Sequence, residues 1–265
     1  MKTEEKEKRT YTIITGASRG LGKSFAQVCA QRKQNLILIA LPNEFLNELS
    51  NELQQKYEVE VFFYEVDLTD SQQLNALLLY LKDFEIDLLI NNAGVGGTRK
   101  FLDVNVEYLD AILLLNIRSL VVLTHRLLPK LMEQPKAYIL NISSLAAFSP
   151  MPYKTVYPAS KSFVRSFSRG LNAELNGTNV HVAVAHPGAM STNEDATERI
   201  KKYKGLLKRS VLTSDEVANI CIEKLVQKKE VIVPGRLNGF FAFMQRILPF
   251  EFQSGIMRRK LEKEV

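Results

Sequence analysis

The chain has 265 residues, of which 46% are hydrophobic and 24% are charged, values close to the average of globular proteins. This composition excludes a disordered chain, a collagen-like repeat and a coiled coil, and the length suits one or two domains with a substantial core. The net charge of +6 is compatible with an anionic ligand, although surface lysines that keep a protein soluble explain it equally well.

The N-terminal residues Met1–Thr10 are dominated by Lys and Glu and lack the apolar region of a secretory signal. The longest apolar stretch, Leu109–Leu128, is interrupted by acidic and basic side chains, so no membrane-spanning helix is expected. Cys29 and Cys221 are far apart and have no metal-ligand spacing, which predicts two free thiols, no metal site and a cytoplasmic location.

From Tyr11 onward, strand-like and helix-like segments alternate. Seven segments have the composition of strands: Tyr11–Thr15, Asn35–Leu41, Glu60–Val66, Asp87–Ile90, Ala137–Ile142, Val180–Ala185 and Val231–Val233. Helical spacing is found in Leu21–Gln31, Glu44–Lys56, Ser71–Asp83, Glu107–Met132, Tyr157–Leu175 and Thr213–Val226. Apolar strands separated by helices predict a parallel sheet covered on both faces, in one doubly wound α/β domain with a Rossmann fold.

Two segments break the alternation. The connection at residues 188–212 is long and rich in Lys and Arg, which is typical of a lid over a functional site. Residues 236–265 form an aromatic and basic extension after the last strand. We therefore predict a domain over residues 1–235, which includes the lid, and an extension over residues 236–265 packed on that domain or at an interface.

The segment Thr15–Gly22, Thr-Gly-Ala-Ser-Arg-Gly-Leu-Gly, lies between the first strand and the first helix. Gly16 permits a tight turn, Gly20 a close approach of a pyrophosphate, and Gly22 close packing of the helix on the strand. The N-terminus of the helix then presents free N–H groups to phosphates. A simple glycine-rich turn is the alternative, but the strand–turn–helix setting favours nucleotide binding.

The spacing of these glycines resembles the TGxxxGxG loop of the short-chain dehydrogenase/reductase family, and further motifs follow in that family's order over roughly residues 10–235. These motifs are Asp67, Asn91–Gly94, Asn116, Ser144, Tyr157 with Lys161, and Pro187–Gly188. The resemblance implies a Rossmann-fold oxidoreductase that uses NAD or NADP and assembles as a homodimer or homotetramer.

The resemblance also assigns residues to the cofactor. Asp67 would contact the adenine, although it is also placed to cap a helix near Thr69–Ser71. The asparagine-rich motif would line the adenosine, and the turn after the sixth strand would approach the nicotinamide. The predicted cofactor residues are Gly16, Ser18, Arg19, Gly20, Leu21, Gly22, Asp67, Leu68, Asn92, Ala93, Gly94, Tyr157, Lys161, Pro187, Gly188, Met190 and Thr192.

The end of the second strand and the glycine loop bear on the choice between NADP and NAD. NAD-preferring members have an acidic residue at the end of the second strand, and this chain has Ala-Leu-Pro-Asn there, over residues 40–43. Arg19 suits a 2′-phosphate, although it is also compatible with an ordinary solvated arginine. Many NADP-preferring relatives also have an arginine where Leu41 stands. We expect NADP(H), with NAD(H) as the second choice.

Tyr157 and Lys161 are four residues apart, on one face of a helix. Pro158 is tolerated in a first helical turn, so Tyr157 is expected at the helix start. A nearby ammonium lowers the pKa of a tyrosine, which lets Tyr157 exchange a proton with a carbonyl or alcohol oxygen. An exposed Tyr and Lys on an ordinary helix is the alternative.

Ser144 and Asn116 complete the predicted catalytic set. Ser144 follows a strand end and would orient the substrate oxygen; Ser143 competes for this role, and a turn serine bonded to local backbone is the alternative. Asn116 is an amide in an apolar helical run, so it needs partners. The resemblance implies that Asn116 holds a water linked to Lys161, and the alternative is a core amide.

The predicted substrate pocket is mostly apolar, which favours a hydrophobic ketone, aldehyde or alcohol. Its residues are Val95, Leu145, Phe148, Met151, Tyr153 and Met190. The basic segment Arg199–Arg209 favours an anionic acyl carrier or CoA, and a solvated helix face explains it as well. His186 is expected to be structural. The extension is similar to the tails of bacterial DltE-like short-chain dehydrogenases, and either packs on protein or rests peripherally on a membrane.

These features favour an NADP(H)-dependent oxidoreductase that interconverts a hydrophobic ketone or aldehyde and its alcohol. A 3-oxoacyl-thioester reductase is the rival within the same family. A sensor or scaffold that binds NADP(H) without turnover is the rival of another class, and the complete catalytic set argues against it. No nucleic acid partner is expected.

Overall fold

The computed structural model describes residues 9–190, 198, 200–201 and 203–262. In this part of the chain, seven parallel strands form one sheet in the order β3-β2-β1-β4-β5-β6-β7. The strands are β1 Thr10–Thr15, β2 Asn35–Ala40, β3 Val61–Glu65, β4 Glu85–Asn91, β5 Ala137–Ile142, β6 Val180–Ala185 and β7 Val231–Ile232. The predicted doubly wound Rossmann fold is confirmed.

Helices connect these strands and cover the sheet. Within the described residues the α-helices are α1 Gly20–Gln31, α2 Leu46–Tyr57, α3 Ser71–Tyr80, α4 Val106–Leu113, α5 Leu120–Glu133, α6 Val156–Glu174, α7 Gly205–Arg209, α8 Ser214–Val226, α9 Arg236–Ile247 and α10 Phe250–Leu261. Short 3-10 turns lie at Leu81–Asp83, Phe101–Asp103 and Leu145–Phe148.

The core has two layers, one on each face of the sheet. In β1, Ile14 packs with residues of α1, α2 and α8, whereas its neighbour Ile13 packs with residues of α3 and α5. Both side chains are fully buried, because successive residues of a strand point to opposite faces and both faces are covered. This double burial explains why the strands read as continuous apolar runs.

The strand order reverses at β1, where β2 and β3 lie on one side and β4 to β7 on the other. A crevice opens outside the carboxyl ends of the strands at such a switch point. The glycine loop follows β1, the loop at residues 92–100 follows β4, and Ser143 and Ser144 follow β5. The fold therefore brings the predicted motifs to one edge of the sheet.

One predicted helix is less regular than expected, and the alternative role of Asp67 as a helix cap is excluded. The helix predicted over Glu107–Met132 is interrupted by a π-helical segment, Leu114–Ser119, between α4 and α5. Apolar residues there fit either kind of helix, so the pattern does not reveal it. The N-cap of α3 is Asp70, which accepts hydrogen bonds from the backbone N–H groups of residues 72 and 73, and Asp67 does not cap this helix.

No helix of the described part of the chain is both long and apolar enough to cross a membrane. Cys29 and Cys221 are both buried free thiols, and burial raises the pKa of each. Among the same residues, no group of three or more His, Cys, Asp or Glu side chains is arranged to hold a metal ion.

Candidate active site

The glycine loop is a tight turn that packs directly against the start of α1 and the end of β4. Gly16 has a φ of 64°, and a Cβ there would lie 3.0 Å from the Cα of Ala93, so the position requires glycine. A Cβ on Gly22 would lie 1.8 Å from the carbonyl oxygen of Gly16. The Asn92 side chain donates hydrogen bonds to the carbonyls of Thr15 and Gly16, at 3.0 and 3.1 Å. Strand and turn form one fixed cradle.

This cradle fits a dinucleotide. Helix α1 begins at Gly20, and within the described residues the N-cap Arg19 makes no side-chain capping hydrogen bond. The first N–H groups of α1 are therefore not capped by that side chain, and the positive end of the helix dipole lies at the same place. Leu21, the next residue, is buried in the core. A pyrophosphate is the group that such a helix start binds.

An acidic side chain that the sequence analysis missed lies beside the cradle. Glu44, in the turn between β2 and α2, accepts a hydrogen bond from the Ser18 hydroxyl and lies 3.2 Å from the Arg19 guanidinium. Its neighbours Asn43 and Phe45 have left-handed φ values of 63° and 59°. This backbone path folds the turn back toward the glycine loop, which no spacing rule along the chain would indicate.

The predicted adenine-side residues lie at the end of β3. The Asp67 carboxylate accepts hydrogen bonds from the Thr69 backbone N–H at 2.8 Å and from its hydroxyl at 2.7 Å. Leu68 is buried against the core. The Asp67 side chain is thereby fixed at the carboxyl edge of the sheet.

The Asn116 amide clamps the loop that follows β4. Its oxygen accepts the Val95 backbone N–H at 2.9 Å, and its nitrogen donates to the Val95 carbonyl at 2.9 Å and to the Ser160 hydroxyl at 3.0 Å. Asn116 lies in the π-helical segment, a distortion often found at functional sites. The amide oxygen and the Lys161 ammonium would each lie 3.1 Å from a Cβ on Gly94, so the two groups meet at this glycine.

Lys161 is a buried ammonium between the end of β5 and Tyr157. Its Nζ donates to the Ile142 carbonyl at 3.0 Å and lies 5.9 Å from the centre of the Tyr157 ring. Burial lowers the pKa of Lys161 to about 8, because the charged form loses its hydration. A positive charge at this place favours the ionised form of a neighbouring phenol.

Tyr157 is the second residue of α6, in agreement with the prediction from Pro158. Its ring packs on the backbone of Gly96, where a Cβ would lie 2.3 Å from Cδ2. Gly96 was not among the predicted site residues, although three glycines within residues 94–97 are a visible signal of close packing. The loop after β4 therefore bounds the tyrosine on one side.

The two serines after β5 have different surroundings. The Ser143 hydroxyl is buried and donates to the Lys161 carbonyl at 2.7 Å, so it is used within the fold. The Ser144 oxygen is half-buried and accepts the Ala146 backbone N–H at 3.1 Å, which leaves its proton available for another acceptor. The Ser144 carbonyl lies 3.1 Å from His186 Nδ1. Burial lowers the pKa of His186 to about 4, so a neutral ring donates this bond.

The turn after β6 is held from two sides. The Leu145 backbone N–H donates to the Pro187 carbonyl at 3.0 Å. A Cβ on Gly188 would lie 2.7 Å from the Asn238 amide of α9, which donates to the carbonyls of Ser210 and Pro234. Met190 packs on the core. Thr192 lies outside the described residues, as do residues 191–197, 199 and 202 of the predicted lid.

The predicted substrate residues surround the same edge of the sheet. Val95 is 37% exposed, and Leu145 and Met151 are half-buried. The Phe148 ring packs 4.5 Å from His186, with the guanidinium groups of Arg165 and Arg246 at 5.1 and 4.6 Å.

Tyr153 connects the substrate side to the extension. Its φ is 62°, and its hydroxyl lies 3.0 Å from the Glu262 carboxylate at the end of α10. Tyr153 and Tyr157 both line a cavity of about 20 Å³, room for about one water molecule.

The sequence matches the family described as short chain dehydrogenase over residues 10–202. An NADP-dependent 3-hydroxy acid dehydrogenase of Schizosaccharomyces pombe is 31% identical over 85% of this chain and 90% of its own length. A very-long-chain 3-oxoacyl-CoA reductase of Anas platyrhynchos is 34% identical over 69% of this chain, but the match spans only 60% of that relative. A short-chain dehydrogenase from Sphingobium yanoikuyae, solved with NADPH, has a TM-score of 0.78 at 27% identity and covers 91% of this chain and 96% of its own.

Proposed function

This chain belongs to the short-chain dehydrogenase family, and from that premise we propose that it is an NADP(H)-dependent oxidoreductase for hydrophobic ketones or aldehydes and their alcohols. The proposed catalytic residues are Asn116, Ser144, Tyr157 and Lys161. One observation supports this set best. The Asn116 amide and the Lys161 ammonium both lie beside Gly94, in the same loop whose Gly96 packs against the Tyr157 ring.

The chain's own residues bind, orient and move one proton. When bound, the nicotinamide supplies or accepts a hydride. Ser144 donates a hydrogen bond to the substrate oxygen and orients it. Tyr157 gives a proton to that oxygen in reduction and takes one in oxidation. The Lys161 charge makes the phenol a stronger acid. Asn116 fixes the loop after β4, which Lys161 and Tyr157 both contact.

The preference for NADP(H) rests on Arg19, whose guanidinium suits a 2′-phosphate by charge and hydrogen-bonding geometry. Relatives at 27% and 31% identity are described as bound to NADPH or dependent on NADP. The glycine loop, Asp67 and Leu68, the Asn92–Gly94 wall and the Pro187–Thr192 turn would hold the cofactor. Use of NAD(H) is the second choice.

A 3-oxoacyl thioester is the second candidate substrate. One observation favours it, since the 34% identical relative from Anas platyrhynchos is named as a 3-oxoacyl-CoA reductase. Lys208 and Arg209 of α7 would attract an anionic carrier. Lys201 already pairs with Glu198, so this part of the basic segment is less available to bind an anionic carrier.

The organisation of the chain is also a proposal. The extension at residues 236–265 would act as part of the domain surface, because Asn238 supports the Gly188 turn and Glu262 reaches Tyr153. Its likeness to DltE-like tails stays a prediction, since the family match ends at residue 202. A homodimer or homotetramer is supported by the stacked Phe163 and Phe167 rings on α6, of which Phe163 is 39% exposed.

Oxidation of NADPH with hydrophobic ketones, aldehydes and 3-oxoacyl thioesters tests the function, with Tyr157→Phe as the decisive variant. We expect wild-type turnover that falls by at least about a thousandfold in Tyr157→Phe, while the Kd for NADPH is retained. Tyr57→Phe, at the distant end of α2, is the matched control and should behave as wild type. Equal turnover in wild type and Tyr157→Phe would refute the proposed chemistry.

A further inference from the structure

We propose that Glu44 shifts cofactor specificity toward NAD(H), because its carboxylate already binds the Ser18 and Arg19 side chains that a 2′-phosphate would use. The inference rests on the proposed function, since it requires a nicotinamide dinucleotide in this crevice. Glu44 would moderate the preference for NADP(H) that Arg19 provides.

A single carboxylate satisfies two donors of the glycine loop. One oxygen of Glu44 accepts the hydrogen bond from the Ser18 hydroxyl, and the other lies 3.2 Å from the Arg19 guanidinium. Hydroxyl and guanidinium groups are also the donors that bind a phosphate monoester. Glu44 is thus an internal anion at the place where an external one would bind.

The turn holds Glu44 at this place. Its side chain is 21% exposed, whereas that of Arg19 is 73% exposed. The left-handed residues Asn43 and Phe45 flank it, and the Asn43 backbone N–H donates to the Glu65 carboxylate at 3.1 Å. Non-glycine residues in this conformation persist only where the surroundings fix them. The turn therefore fixes the carboxylate, whereas most of the Arg19 side chain faces solvent.

The two cofactors meet this carboxylate differently. A 2′-phosphate brings a second negative charge close to Glu44, and it has to share or displace the bond that Glu44 makes with Arg19. A free 2′-hydroxyl is instead a hydrogen-bond donor. A carboxylate can accept its hydrogen bond, as the acidic residue of NAD-binding Rossmann folds does. Glu44 therefore weakens the binding of NADP(H) and strengthens that of NAD(H), whereas Arg19 acts in the opposite direction.

Glu44→Gln isolates the charge. The glutamine oxygen can still accept the Ser18 hydroxyl, so the turn keeps its contact while the negative charge is lost. We would measure the Kd values for NADPH and NADH from the fluorescence of the bound reduced nicotinamide, without substrate. The matched control is Glu52→Gln, which removes the same charge from an exposed position on α2.

We expect Glu44→Gln to lower the Kd for NADPH about tenfold, the effect of one charge removed near a phosphate, and to leave or raise that for NADH. Glu52→Gln should change both by less than about twofold. An unchanged ratio of the two Kd values in Glu44→Gln, or an equal change in the control, would overturn the inference alone. Failure of the wild type to bind either nucleotide would overturn the proposed function and this inference with it.

Discussion

Replacing Gly96 by alanine should slow turnover without weakening cofactor binding. The added Cβ would lie 2.3, 2.7 and 2.9 Å from three atoms of the Tyr157 ring. Ordinary van der Waals contact begins at 3.4 Å, so the loop and the ring have to separate by about 1.1 Å. A displacement of about 1 Å at a reacting group costs on the order of a hundredfold in rate. We therefore expect kcat to fall by about that factor.

The assay is steady-state NADPH oxidation with the best ketone, together with direct titration of NADPH. The Kd for NADPH should change by less than about threefold, because the clash is with the ring and not with the glycine loop. Gly97→Ala is the neighbouring control, because its Cβ would contact the Tyr108 hydroxyl, at 2.7 Å, and not the Tyr157 ring. Gly170→Ala, whose Cβ meets nothing within 4 Å, is the second. A Gly96→Ala enzyme with wild-type kcat would refute the proposed dependence on the position of the Tyr157 ring.

Two further predictions concern the groups beside Gly94. Burial lowers the pKa of Lys161 to about 8 in the folded state, against about 10.4 in the unfolded chain, so folding becomes more favourable as pH rises between these values. Between pH 8.5 and 10 the unfolded state holds about 0.8 proton more at this group than the folded state, so the free energy of unfolding of the wild type should rise by about 1.1 kcal/mol per pH unit relative to that of Lys161→Met. Urea denaturation measures both, and a constant difference would contradict this. Asn116→Ala leaves the Val95 backbone groups and Ser160 without the amide, so it should lose about 2–4 kcal/mol of stability in the same assay and a large part of kcat. Unchanged stability would mean that water replaces the clamp.

The sequence predicted the sheet because its strands are buried on both faces. Ile13 and Ile14 are both apolar for this reason, and the same pattern recurs in each central strand. The glycine loop was predictable because a side chain at Gly16, where φ is 64°, would press on Ala93, and one at Gly22 would collide with the Gly16 carbonyl. The position of Tyr157 at a helix start followed from Pro158, which restricts where a helix can begin.

Other parts of the site depend on contacts between distant segments, which periodicity does not encode. Glu44 reaches Ser18 across 26 residues through a turn of left-handed residues. Asn238 supports Gly188 from a helix that follows the last strand. The sequence predicted that the extension would pack on the domain or at an interface, but not that Tyr153 would bond to Glu262. These contacts depend on the three-dimensional paths of the loops. The polar side chains that make them are common residue types in no distinctive pattern, so the sequence does not mark them.

The π-helical segment at Leu114–Ser119 makes the site depend on the number of residues as well as on their identity. Each residue advances an α-helix by about 100°, and a π turn holds about one residue more than an α turn. Removing one residue from this segment, other than Asn116 itself, would therefore restore a continuous α-helix without rotating α4 relative to α5, and would change the direction of the side chains inside the segment. Asn116 would then point away from Val95 although its own codon is untouched. A deletion of one residue here would therefore disturb the clamp on Val95 in the same way as a substitution of Asn116.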